Sequence, residues 1–188
     1  MSRLGGNLGA TNIDLPLLVF FRDQLKVKTM LDIGCGKGGM VFHALHLGIQ
    51  AIGIEGDKSS IPIDCPLIEN VDYRKGSSTV TSEFDVGYSC EFLEHVPEEF
   101  MPNYMNDFKK CKTLLITAAP PGWGGVGHVN EQAEPYWVKS FQKYGFEFLE
   151  QETALIRGIS EITFAGNVRM DKKQFIRNRG LFFYNRDF

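Results

Sequence analysis

The segment Thr29 to Met40, TMLDIGCGKGGM, constrains the fold more than any other stretch of this chain. A short apolar run passes through Asp32 into a turn that carries Gly34, Gly36, Gly38 and Gly39. The following GMVFHALHLG reads as a helix with Gly48 as its stop. Strand, glycine turn and helix in that order open a βαβ unit. The turn leaves backbone N–H groups at a helix start free for a ligand. Gly34, Gly36 and Gly39 fit the dinucleotide fingerprint G-x-G-x-x-G. Asp32 argues against a dinucleotide, because its carboxylate would lie close to the pyrophosphate, and like charges repel strongly in a partly dry cleft. The same carboxylate suits an ammonium group. A Walker-type phosphate loop also fails, since Lys37 is followed by Gly38 and not by Ser or Thr.

The rest of the chain alternates strand-like and helix-like segments. A polar cap and apolar-rich stretch predict a helix over Asn12 to Leu25. QAIGIEGD is a second strand ending at Glu55, PLIENVDY a weaker third, and EFDVGYSCEF a fourth ending near Ser89. A helix begins around Pro97, and KTLLITAAP is the fifth and clearest strand. A Pro/Gly-rich loop over 119–132 leads into a helix from about Ala133 to Tyr144. GFEFLEQE and GLFFYNR close the chain as two further strands, with a mostly helical insertion over 153–178 between them. This alternation predicts an α/β, doubly wound, Rossmann-like sheet with helices on both faces. Ligands of such sheets bind beyond the C-terminal strand ends.

The 188 residues are most simply one domain, with residues 1–11 as a flexible lead. No apolar run is long enough for a membrane span, and the first residues do not read as a secretion signal. A net charge of −3 gives no general pull toward nucleic acid. The local exception is Arg169, Lys172, Lys173, Arg177 and Arg179 against Asp171 alone, which reads as a solvated helix face. Cys35, Cys65, Cys90 and Cys111 show no paired spacing, which fits free thiols in a reducing, cytoplasmic setting.

Glu55 stands about twenty residues beyond the glycine turn, where a carboxylate accepts hydrogen bonds from the hydroxyls of an adenosine ribose. With LDIGCGKGG, GIEGD and FDVGYSCEFLEHVPEEF, the chain resembles the class I S-adenosylmethionine-dependent methyltransferases over roughly residues 28–150. That resemblance implies a seven-stranded, mostly parallel sheet whose last strand, GLFFYNR, inserts antiparallel. It implies that Asp32, Gly34, Cys35 and Gly36 line the methionine end of the cofactor. Glu55 and Gly56 would hold the ribose, Asp72 or Tyr73 would lie near the adenine, and Ser89, Cys90 and Glu91 would border the methionine.

Methyl transfer needs alignment, exclusion of water and, for a hydroxyl acceptor, a group to take or polarise its proton. CEFLEH offers Glu91, Glu94 and His95 at i, i+3 and i+4, on one face if they form a helical turn. GGVGHVNEQ offers His128 and Asn130 from the loop after the fifth strand. Together Glu91, Glu94, His95 and His128 form a ligand set for a divalent cation, Mg or Mn, that would acidify a substrate hydroxyl. E-x-x-E-H with a later His resembles the small-RNA 3′-terminal 2′-O-methyltransferases, and CEFLEHVP resembles the matching segment of ubiquinone-pathway O-methyltransferases. The other roles open to His128 are a metal-free general base and a loop-stabilising residue. His43 and His46 read as helix-face residues without a third ligand. APPGWGG is similar to the proline-bearing tetrapeptide of DNA base methyltransferases, but it follows the fifth strand instead of the fourth. It reads instead as a hinged substrate lid, with Gly122, Gly124, Gly125 and Gly127 giving mobility and Trp123 an apolar wall.

The expected protein is an O-directed methyltransferase for a small hydroxylated molecule, such as a sugar or other metabolite, without nucleic-acid or membrane partners. Three rivals stay open: a metal-dependent RNA-end methyltransferase, an NAD oxidoreductase, and a non-catalytic cofactor-binding subunit that docks through the aromatics of LFFYNRDF.

Overall fold

The computed structural model describes residues 11–164 and 166–188; the expectation for residues 1–10 lies outside them. A seven-stranded sheet runs in the order β3 (Ile68–Asn70), β2 (Gln50–Glu55), β1 (Thr29–Ile33), β4 (Phe84–Ser89), β5 (Cys111–Ile116), β9 (Leu181–Asn185) and β6 (Phe146–Phe148). Neighbours among the first five strands are parallel, and β9 lies antiparallel between β5 and β6. The helices are α1 (Leu15–Asp23), α2 (Gly39–His46), α3 (Met101–Phe108), α4 (Glu134–Lys143), α5 (Glu150–Ile159) and α6 (Phe175–Arg179). A separate hairpin pairs β7 (Thr163–Phe164) with β8 (Asn167–Val168). Among the described residues, no helix is long and apolar enough to cross a membrane.

The central strands bury both faces, as a doubly covered parallel sheet requires. Leu31 and Ile33 of β1 pack on one side with Tyr104, Phe108, Phe141 and Phe183. Met30 packs on the other with Leu17, Phe21, Val41 and Phe182. Phe182 and Phe183 therefore divide between the two cores, each contributing on the order of 1.5–3 kcal/mol by burial. They form no docking surface; of that aromatic tail, Phe188 alone is markedly exposed.

Several elements are shorter than expected. α1 starts only after Asp14, whose carboxylate accepts from Leu17 N at 3.1 Å and caps the helix. The third strand keeps three residues, and the LEQE half of the sixth segment turns into α5. The insertion over 153–178 is not mostly helical. α5 ends at Ile159, the chain forms the β7–β8 hairpin with Gly166 at φ +79°, and α6 has only five residues. Asp14 also ties that insertion to the start of α1, accepting from Ser160 Oγ and from Glu161 N at 3.2 Å. A bridge pairs Ile13 with Thr163 beside it.

The loop after β3 is held by one buried carboxylate. Asp107 of α3 accepts from Tyr73 OH at 2.8 Å, Ser78 Oγ at 2.6 Å, Ser78 N at 3.1 Å and Lys110 Nζ at 2.6 Å. Removing it leaves buried donors without an acceptor, which costs far more than a surface ion pair. Asp107→Ala should lower stability in urea unfolding by about 3 kcal/mol. A loss below about 1 kcal/mol would mean that the loop is held by its apolar contacts alone.

Candidate active site

The glycine turn is tied to the second strand before any ligand arrives. Gly34 N and Cys35 N both donate to Ile54 O, at 2.8 and 3.1 Å. Gly34 has φ +79°, and a Cβ there would lie 2.6 Å from Phe92 Cβ, so only glycine fits. Gly39 is closed by Thr11, whose Oγ1 accepts from Gly39 N at 3.0 Å. Gly36 differs: at φ +55°, its missing Cβ would meet nothing within 4 Å. The turn opens there onto a cavity of about 520 Å³.

Two carboxylates frame this end. Glu55, at the tip of β2, accepts from Gly36 N at 2.7 Å and Asp57 N at 2.8 Å, while burial raises its carboxyl above the usual range. Asp32 is buried in a small annex with Cys35, Met40 and Tyr88. It accepts no hydrogen bond from the described residues, and burial followed by the nearby Glu55 charge raises its carboxyl well above the usual range. A buried, unpaired acid beside a turn with open space at Gly36 fits S-adenosylmethionine, whose ammonium would compensate Asp32 and which brings no phosphate to repel it. Gly56, Asp72 and Tyr73 line the same cavity. Arg74, at 2.8 Å, holds the Asp72 carboxyl below its ordinary range.

Ser89 sits elsewhere than expected. It is fully buried and its hydroxyl donates to Ile33 O at 2.8 Å, stitching β4 to β1 behind the cavity wall. Cys90 does line the cavity, and burial raises its thiol.

At the far end of the cavity the expected four-residue cluster is reduced to three. Donor atoms of Glu94, His95 and His128 lie within 4.8 Å of one another. Glu91 does not share their face, because helical turn geometry begins only at Leu93 and Glu91 itself has φ +57°. Its carboxylate pairs instead with Arg179 and accepts from Thr117 Oγ1 at 2.8 Å. Arg179 lies over the rings of Trp123 (4.3 Å) and Phe175 (5.1 Å).

Glu94 is fully buried, and neither carboxylate oxygen has a hydrogen-bond partner. The amides of Glu94 and Ala119 favour its anion without reaching hydrogen-bond geometry, so burial, then Glu91, pushes its carboxyl up to about 8. The imidazoles are better oriented. His95 Nδ1 lies 3.2 Å from Gly127 O, and burial lowers its pKa. His128 Nδ1 lies 2.6 Å from Glu131 Oε1. Each Nδ1 is a donor in that arrangement, which leaves both Nε2 lone pairs available. An orphaned buried carboxylate beside two such imidazoles fits a divalent cation.

Glu131 was invisible as a site residue. Besides His128 it accepts from Gly122 N (2.9 Å) and Gly124 N (2.7 Å), pinning the Pro/Gly-rich loop. Val129 N and Asn130 N donate to Glu94 O, so the expected hinged lid is anchored at both its middle and its end. The H-x-x-E spacing was the available signal. His43, with Nδ1 2.9 Å from Gly39 O, stays on its helix.

The unpartnered Glu94 makes stability depend on pH. The unfolded chain loses this proton near pH 4.5 and the folded metal-free chain near 8. Ionisation therefore costs the folded state across that window, and stability falls as pH rises through it. Urea midpoints should decline from pH 5 to 8, and Glu94→Gln should flatten the decline. An unchanged slope in that variant would show that Glu94 is compensated in solution.

No model of a known protein family matches the chain. It is 31% identical over 122 residues to the ubiquinone biosynthesis O-methyltransferase of Nitrosospira multiformis, covering 60% of this chain and 48% of that protein. It is 29% identical over 185 residues to the enzyme of the same name from Stutzerimonas stutzeri, covering 92% and 69%. Against relatives such as the first, the chain spans about half the length. The structure is similar to magnesium protoporphyrin IX methyltransferase of Synechocystis PCC 6803, solved with bound S-adenosylmethionine, at a TM-score of 0.59 and 14% identity, covering 91% of this chain and 76% of that one. With the sheet order β3-β2-β1-β4-β5-β9-β6, this likeness shows the fold of the class I S-adenosylmethionine-dependent methyltransferases.

Proposed function

We propose that this chain is an O-methyltransferase acting on a small hydroxylated molecule. The observation that carries the reading is the orphaned Glu94 beside His95 and His128, in one cavity with Glu55 and next to the annex that holds Asp32. When bound, S-adenosylmethionine supplies an electrophilic methyl group on a sulfonium. Asp32 takes the ammonium and Glu55 accepts from the ribose hydroxyls. Asp72 and Tyr73 flank the adenine, and Cys90 and the open backbone at Gly36 border the methionine. Trp123 and the pinned loop exclude water from the reacting end.

The acceptor hydroxyl gives its proton to Nε2 of His128, whose imidazole Glu131 holds in the required tautomer. Where a divalent cation is held instead, the same Nε2 would ligate it together with Glu94 and His95, and the cation rather than His128 would acidify a bound hydroxyl; two imidazoles favour Mn over Mg. The free thiols agree with a reducing, cytoplasmic setting.

Calorimetric titration with S-adenosylhomocysteine separates the roles. Asp32→Ala should weaken binding at least about tenfold, as expected for loss of a buried charge-assisted contact. His128→Ala should leave binding within about twofold while lowering turnover on the order of 10²–10⁴-fold. Loss of cofactor binding in His128→Ala would remove it from the proton-transfer role, and turnover confined to RNA ends would replace the acceptor class.

A further inference from the structure

Among the described residues, Arg74, Arg169 and Lys173 are the Arg and Lys side chains that line the cavity. Arg74 is neutralised by Asp72 at 2.8 Å. Arg169 and Lys173 differ: among the described residues neither lies within ion-pair distance of a carboxylate. Arg169 is held in place by neutral partners, with Nε donating to Asn12 Oδ1 at 3.0 Å and its guanidinium 4.5 Å over the Phe164 ring. Neither contact removes its charge.

The segment carrying both cations is fastened from beneath. Gln174 is buried, accepts from Ile162 N at 2.8 Å, and donates to Ile162 O at 2.9 Å and Arg169 O at 3.2 Å. One buried amide thus fixes the backbone at Arg169 directly beside Lys173. A chain of net charge −3 places two uncompensated positive charges at one cavity wall, and pairs its other cavity cation. That selectivity marks a binding feature for an anion, not general surface charge.

We propose that the acceptor is itself an anion: a small hydroxylated molecule whose carboxylate or phosphate group is held by Arg169 and Lys173. This rests on the methyltransferase reading above. Its hydroxyl faces the His95–His128 cluster, and its body lies against Phe175 and Trp123. Charge-assisted contacts give the anion an advantage over its neutral counterpart, reduced by the exposure of Lys173 and screened by salt.

The test uses the whole chain saturated with S-adenosylhomocysteine and two matched pairs of probes. One pair is 3,4-dihydroxybenzoate and its methyl ester; the other is ribose 5-phosphate and ribose. At least one anion should bind about tenfold tighter than its neutral partner, about 1.4 kcal/mol. The pair that responds distinguishes carboxylate from phosphate. The preference should shrink as NaCl is raised and disappear in the double variant Arg169→Gln, Lys173→Gln, with S-adenosylhomocysteine affinity unchanged. Equal binding within both pairs, binding by no probe, or a preference that survives in the double variant would overturn the proposal. A double variant that instead loses S-adenosylhomocysteine affinity would move these cations to the cofactor carboxylate, and overturn it too. Failure of the unmodified chain to bind S-adenosylhomocysteine would remove the methyltransferase reading beneath it.

Discussion

The close approach of Phe92 to Gly34 organises everything around the site. The ring occupies the space where any side chain at Gly34 would stand. Its neighbours are Tyr73 at 5.6 Å and Tyr104 at 5.7 Å, both edge-on. One aromatic residue therefore joins the turn after β1, the loop after β3 and α3. Favourable edge contacts of this kind are worth roughly 0.5–1.5 kcal/mol each beyond burial. Glu91 precedes Phe92 in a left-handed backbone conformation, and the Leu93–His95 turn follows it. Fixing Phe92 thus fixes the two ends of the cavity relative to each other.

Electrostatically the cavity and its annex are unfinished. Asp32 in the annex and Glu94 on the cavity wall are buried acids that receive no hydrogen bond from the described residues. The two acids stand in different places, Asp32 beside the glycine turn and Glu94 beside His95 and His128. Burying such acids costs stability, and costs of this kind are concentrated at functional sites.

What the sequence made legible was local. Asp32, Gly34 and Gly36 lie within five residues, and Glu55 ends the next strand, so spacing and the family resemblance together singled them out. As a metal ligand Glu91 was misassigned, though it does line the cavity, because its partner, Arg179, is 88 residues away and no local pattern signals that pairing. Ser89 looked like a cavity residue because it ends β4, yet its inward side of the pleat faces Ile33 O. The β7–β8 hairpin was missed because two-residue strands carry no usable alternation. Glu131 was overlooked although its spacing to His128 was visible. An acid in a glycine-rich loop reads as solvated until the amides of Gly122 and Gly124 are seen to converge on it.

The Asp14–Ser160 and Ile13–Thr163 contacts join segments nearly 150 residues apart. Together with Asn12 against Arg169, they make residues 11–14 and the hairpin one continuous cover laid over an otherwise self-sufficient sheet. Each piece of such a cover is held in place by the other. Substitutions in one piece are readable only against the matching piece. A relative that accepts a different molecule is expected to have rewritten both pieces together while leaving β1, β2 and β4 as they are.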